Sequence, residues 1–345
     1  MDTTASRWAI ALGTMLVAAA AQATSTIYTV TSTSSGGTCT GGSTSDPDCT
    51  LDAAISTAAS GDFIQFAASV QGQTIAVATP FSNLTKDVTI DASPNGVTID
   101  GGGVSGIFYV DSGANVVLRR LTIQHGFEAN SGGALWNNNG NVTIDSCTFA
   151  YNSANTFGGG AILNGSTLLV LNSTFTGNHS GNTSGAIYAG GNVVIANSTF
   201  AANTANGNSG AIFAIGSLTV LSSIFAGNTA PSDPNILGYP NSPVSLGHNL
   251  IDDATGSAWV AQTGDQIGVD PMFATAMLAD NGGPTQTIAF QPGSPARSGG
   301  DCSGNASNPA IPPVGVDQRG IVRSTVCTIG AFDMTSIFYG TFEAQ

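Results

Sequence analysis

The chain has 345 residues, 41% of them hydrophobic and only 8% charged, and 21 Asp and Glu against seven Lys and Arg leave a net charge of −14. Nucleic-acid binding and attachment to an anionic membrane surface both need a basic patch, so both classes are excluded. Val and Ile recur in regular runs that can bury a core, which excludes a disordered chain.

Residues 1–23 read as a signal peptide: Arg7, then an apolar run short for a bilayer, then Ala21-Gln22-Ala23 as a cleavage end. No later segment is long and apolar enough to cross a membrane as a helix. Residues 24–110 read as an N-terminal cap with the first coils. Within them "CTLDAAISTAASGDFIQF", residues 49–66, carries the one convincing helix signal, started by Thr50 or Asp52 and ended by Gly61. A helix here covers an otherwise open edge. "VTIDASPNGVTIDGGG", residues 88–103, reads as first coils.

Residues 111–240 repeat. The aromatic of F-x-x-N falls at Phe149, Phe175, Phe200 and Phe225, at intervals of 26, 25 and 25. A Gly-Ala-apolar triplet begins at Gly133, Gly160, Gly185 and Gly210, at intervals of 27, 25 and 25. Each unit holds short β segments such as "NVVIANSTF" and "SGAIY", with Gly and Asn at the turns. One such unit cannot bury its apolar face alone, but stacked units can, each strand pairing in parallel about 4.8 Å from its equivalent. The expected fold is all-β: a right-handed parallel β-helix, a solenoid with an N-terminal helical cap. Phe149, Phe175, Phe200 and Phe225 then form an inner aromatic column. Asn152, Asn178, Asn203 and Asn228 form an amide ladder at a turn. Gly133, Gly159 or Gly160, Gly185 and Gly210 mark corners. The L-x-x-L-x-L pattern of leucine-rich repeats is absent.

Residues 241–345 have more Pro and Asp and no period, and read as a C-terminal cap and tail. Export permits disulfides. Cys39 and Cys49 are close in sequence, as are Cys302 and Cys327, so these pairs are expected to bridge while Cys147 stays a thiol. No Cys and His spacing suits zinc.

The paired G-G-A-[IL] and F-x-x-N motifs over residues 115–230 resemble the repeats of polymorphic outer membrane proteins. More broadly they resemble right-handed β-helix proteins with a pectin-lyase-like fold. Residues 49–55 are similar to a C-S-L-R-E-A-I box, with Leu51, Ala53 or Ala54, and Ile55 matching and the Arg-Glu pair missing. The ordered boxes at Asn249, Asp270-Pro271, Asn281-Gly282-Gly283-Pro284, Gly293-Ser294-Pro295-Ala296, Asp317-Gln318-Arg319-Gly320 and Ile329-Gly330-Ala331-Phe332 resemble the choice-of-anchor Q region of bacterial surface proteins. That resemblance implies closure of the β-helix at its C-terminal end. "SIFYGTFEAQ" at the terminus resembles short I-F-x-x-G-F-E ends of some secreted proteobacterial proteins. Polymorphic outer membrane proteins continue into a membrane barrel; the Pro-rich segment here does not alternate as barrel strands do.

Pectin-lyase-like folds host polysaccharide lyases and hydrolases, so catalytic groups must be sought. The candidates are Asp100, Asp111, Arg119 and Asp145. No Asp, Glu, Lys or Arg lies between Asp145 and Asp233, so a catalytic cluster fits only the early coils. Arg119 and Asp145 fall one coil apart at the same phase and suit a surface salt bridge. His125, His179 and His248 lie at unrelated positions. Trp136 and Tyr188 follow the Gly-Ala marker at nearby, not identical, register and suit packing against a neighbouring loop or a sugar-stacking platform. The C-terminal acids, Asp317 among them, read as turn formers, without the spacing of a calcium loop. No metal or cofactor is called for. The sum is a monomeric, secreted or cell-surface bacterial scaffold in contact with polysaccharide or the cell envelope. The alternative is a carbohydrate-active enzyme with its site on the early coils.

Overall fold

Short β-branched and aromatic segments separated by left-handed corners leave the chain one way to satisfy its backbone: by pairing coil on coil. The computed structural model describes residues 25–44, 46–130, 132–253, 259–274, 278–305, 311–323 and 326–334. The signal-peptide and terminal-tail readings, residues 1–23 and 336–345, lie outside the described residues. One coil runs through Asn141–Asp145, Thr148–Ala150, Ser153–Ala154 and Leu135–Asn137's successor Ile162–Asn164 before Thr167–Leu171 begins the next. Repetition of these four segments builds four parallel sheets. Sheet A (with Asn141–Asp145) and sheet B (with Thr148–Ala150) have nine strands each, sheet C (with Ile162–Asn164) six, and sheet D (with Ser153–Ala154) four. The result is a β-solenoid with almost no helix.

The register puts like residues on one another. Phe149, Phe175, Phe200 and Phe225 pair in sequence along sheet B. Their rings stack at centroid distances of 4.8, 4.7 and 4.9 Å, fully buried. At the next corner the Asn152 amide donates to Asn178 Oδ1 at 3.0 Å, Asn178 to Asn203 at 2.8 Å, and Asn203 to Asn228 at 2.9 Å. Each amide also binds the backbone, so the corner is dry and satisfied. A second ladder, Ser173, Ser198 and Ser223, lies between sheets A and B, each hydroxyl accepting the N–H of the coil before. Cys147 occupies the serine position of its own coil and is buried without a disulfide. The glycine column resolves to Gly133, Gly160, Gly185 and Gly210. A Cβ on Gly185 would stand 2.2 Å from the Gly210 carbonyl oxygen, so close backbone approach, not a positive φ, demands glycine there.

The helix is shorter than the sequence signal. It spans Leu51–Thr57, with Thr50 Oγ1 accepting from Ala53 N–H at 3.3 Å. Gly61 (φ +92°), the expected stop, lies beyond the helix in the turn before Asp62–Phe66, a sheet A strand. Its alternation of buried and half-buried residues has period two, which decides for strand. Leu51, Ala53, Ala54 and Ile55 seat in the core beside the first strand, Ile27–Val30. Cys39 is joined to Cys49, and Cys302 to Cys327.

Parallel pairing continues past residue 240 through Val244–Ser245, Leu250–Ile251 and Gln266–Ile267. The chain then folds back along the outside of sheet B as an arm, rather than only closing the last coil. Thr148, Thr174 and Thr199 form an outward threonine column that receives it. Thr148 Oγ1 donates to the Gln286 carbonyl (2.7 Å), Thr174 Oγ1 to Gln318 Oε1 (2.6 Å), and Ala331 N–H to Thr199 Oγ1 (3.1 Å). All three threonines are buried beneath it.

Candidate functional site

The four candidate catalytic residues do not converge. Asp100 ends a sheet B strand, Val97–Asp100, where Gln124 Nε2 and Gly102 N–H each donate to it at 2.8 Å and His125 Nδ1 lies at 3.1 Å. Burial raises its pKa, but the bonds from Gln124, Gly102 and His125 outweigh burial and hold the carboxyl below its ordinary value. Arg119 and Asp145 pair across coils on sheet A at 3.3 Å, partly exposed, an arrangement that contributes little stability. Arg120 turns the other way and forks onto Asp91 at 2.9 and 2.5 Å. Asp111 follows the sheet C strand Phe108–Val110. One face each is thus given to Asp100, to Arg119 with Asp145, and to Asp111. Among the described residues no group of three or more His, Cys, Asp or Glu is placed to hold a metal ion.

The histidines are engaged locally. His125 stacks on Tyr151 at 5.8 Å, His179 Nδ1 lies 2.9 Å from Thr204 Oγ1, and His248 Nδ1 donates to the Gly299 carbonyl at 2.8 Å. Asp317 opens a turn, as read, with Gly320 N–H donating to its carbonyl at 2.9 Å, and it does more. It is fully buried, accepts from Arg319 Nε (2.8 Å) and Nη2 (2.6 Å), and takes the Arg319, Ile321 and Asp333 N–H groups. Arg319 also covers the Phe332 ring at 3.8 Å. Arg323, lowered by burial to about 10, donates to backbone carbonyls and to Asn172 of the coil. Gln318 bonds Cys147, Thr148 and Thr174 at once. The Asp-Gln-Arg-Gly and Ile-Gly-Ala-Phe boxes therefore hold the arm to the coils. A cleft of about 500 Å³ between His248, Asp301, Ser303 and Arg323 belongs to this joint.

Among the described residues no hydrogen bond joins the arm to sheet C. Its strands alternate, and the middle residue of each points outward: Tyr109, Trp136, Leu163, Tyr188, Phe213 and Leu237 stand in one register. Trp136 and Tyr188, read as lying in different registers, are two rungs of the same row with Leu163 between them. Each of the two stands three residues after its marker glycine, Gly133 or Gly185, so the common register follows from the sequence once counted from that marker. Tyr109 meets Trp136 edge-on at 5.0 Å, and Tyr188 lies 5.7 Å from Phe213. Trp136 is 38% exposed and the others half-buried. Six rungs extend for about 24 Å. A contiguous outward aromatic row marks a contact surface.

At the N-terminal end of the row a cleft of about 340 Å³ opens between Pro80, Asn83, Tyr109, Asp111, Glu128 and Trp136. Tyr109 OH donates to Asp111 Oδ2 at 3.3 Å and Ser112 N–H to Oδ1 at 2.7 Å. The Ser112 N–H bond, above all, holds the Asp111 carboxyl below its ordinary value, while burial and then the Asp111 charge push the Tyr109 phenol up. The Glu128 carboxylate, from the sheet D strand Phe127–Glu128, has no hydrogen-bond or ion-pair partner among the described residues. Glu128 is not among the four sequence candidates, because its place in the same cleft as Asp111 depends on how the coil turns from sheet D to sheet C.

No curated protein matches the sequence. A crystal structure of the pectate lyase Pel9A is similar over 89% of this chain and 96% of that one, at 14% identity and a TM-score of 0.38, too distant to speak of chemistry. Residues 82–271, more than half of the chain, match the family described as "Right handed beta helix region", and the protein belongs to it.

Proposed function

We propose that the protein is a secreted or cell-surface bacterial scaffold that contacts glycan through the outer row of sheet C and does not cleave it. The observation that carries this is the register of Tyr109, Trp136, Leu163, Tyr188, Phe213 and Leu237 on a face that the C-terminal arm leaves open. Aromatic rings present flat apolar area with a polar rim, suited to the C–H faces of sugar rings. A rigid stack holds them without an ordering cost on binding. Secretion is supported by the pattern of residues 1–23 and by two disulfides.

One observation favours the enzyme reading: Asp111 and Glu128 line the same cleft. Glycoside hydrolysis needs one carboxyl that is protonated at working pH. Asp111 is held on the ionised side, which suits contact better than proton donation. The test is a glycan array on the mature chain beside a product assay for reducing ends and unsaturated sugars. Trp136→Ala with Tyr188→Ala is expected to abolish binding at unchanged melting temperature. Product released by the parent and lost in Asp111→Asn would replace the scaffold with an enzyme.

A further inference from the structure

The cleft at the head of the row differs in chemistry from the rest of it. Its lining includes two carboxylates and three aromatic residues, Phe108, Tyr109 and Trp136, and no Lys, Arg or His. The Glu128 residue is half-buried, and its carboxylate has no partner among the described residues. Gly106 makes room for it: a Cβ there would stand 2.9 Å from Glu128 Oε1. Across the cleft, Tyr109 and Trp136 meet edge-on, so their faces turn to different directions around one space. Carboxylates and aromatic faces share one preferred guest, a cation with apolar flanks. The net charge of −14 works in the same direction, drawing cationic ligands and repelling polyanions.

We infer that this cleft receives a protonated amine carried on a sugar ring, so that the glycan bound along sheet C is amine-bearing rather than a polyuronate. The inference rests on the glycan reading of the row and adds the ligand's charge. The ammonium sits between the Asp111 and Glu128 carboxylates and the Trp136 and Tyr109 rings, while the rest of the chain lies on Leu163, Tyr188 and Phe213. The volume, about 340 Å³, is within the range of small-ligand sites, roughly 300–1,000 Å³.

The experiment measures binding of a short chitosan oligosaccharide, its fully N-acetylated counterpart and oligogalacturonate to the mature chain. Acetylation removes the charge and keeps the backbone. The free-amine ligand is expected to bind about tenfold tighter than the acetylated one, with oligogalacturonate weakest. Added salt narrows that preference. Asp111→Asn with Glu128→Gln, nearly isosteric, is expected to erase the preference while leaving binding of the acetylated ligand. Equal binding of both chitin-type ligands, lost together in Trp136→Ala, overturns the amine assignment and leaves the row standing. Tightest binding of oligogalacturonate overturns it as well. No binding of any of the three sinks the glycan reading itself.

Discussion

Asn203 offers the most direct test of what keeps the coils in register. Its amide makes four buried hydrogen bonds: Nδ2 donates to the Phe175 carbonyl (3.0 Å) and to Asn228 Oδ1 (2.9 Å), and Oδ1 accepts from Asn178 N–H (3.1 Å) and Asn178 Nδ2 (2.8 Å). Asn203→Ala removes all four and leaves the Asn178 N–H facing a void closed to water. At about 1 kcal/mol per bond, with orphaned buried donors costing more, the expected loss is roughly 4 kcal/mol. Asn141 is the control. It too bonds an asparagine one coil away, Asn115, at 3.1 Å, but it is exposed. Asn141→Ala is expected to cost less than about 0.5 kcal/mol. Adding Asn178→Ala to Asn203→Ala deletes the orphaned side-chain donor, so the pair should cost less than the sum of the singles. Urea unfolding of the mature, oxidised chain, followed by circular dichroism with the slope compared across variants, measures each. A loss for Asn203→Ala no larger than that for Asn141→Ala would refute the ladder as a source of stability.

Phe200→Ala, between two rings at 4.7 and 4.9 Å, is expected to cost roughly 3–5 kcal/mol, and Phe200→Leu less than about 1.5 kcal/mol. A loss below about 1 kcal/mol for the alanine variant in urea titration contradicts the column. Burial pushes the Cys147 thiol from its ordinary 9.0 up to about 12. Between those values the unfolded chain releases a proton that the folded chain keeps, so this contribution is complete below pH 9 and is lost as pH rises, at up to about 1.4 kcal/mol per pH unit. Cys147→Ser continues the ladder of Ser173, Ser198 and Ser223 and is expected to unfold within about 1 kcal/mol of the parent at neutral pH. Its stability should fall less steeply at alkaline pH; parallel curves for the two chains would remove Cys147 as the cause.

The inner columns were legible because each coil places one residue in nearly the same surroundings as its predecessor. A site with a ring above and a ring below admits another ring, and an amide between amides admits another amide, so Phe and Asn recur at the period. Outward rungs face water and meet no such demand. Tyr, Trp, Leu and Phe all serve on sheet C, so the row itself repeats no letter; its register is carried by the glycines three residues before, Gly133, Gly160, Gly185 and Gly210. The arm was hidden for a different reason: Gln318 reaches Cys147 over 171 positions, and no local pattern reports such a contact. The helix stops at Thr57, short of the expected end at Gly61, because Ala58 already has extended backbone.

The arm and the open row are two consequences of one geometry. A solenoid whose polar ladders and aromatic column are inside has its outward positions free to vary face by face. On sheet B those positions became threonines, each hydroxyl bonded to the arm, and that face is closed to any ligand. On sheet A the outward Leu171, Ala196 and Leu221 cluster with Ile311 of the arm, which takes that edge as well. Sheet D is only two residues wide in each coil. Among the described residues, sheet C alone combines an outward row rich in aromatics, no hydrogen bond to the arm, and a cleft lined by the Glu128 carboxylate, which has no partner there. A long ligand that binds this protein by stacking therefore runs parallel to the solenoid axis, crossing the strands, with its charged unit at the N-terminal coils.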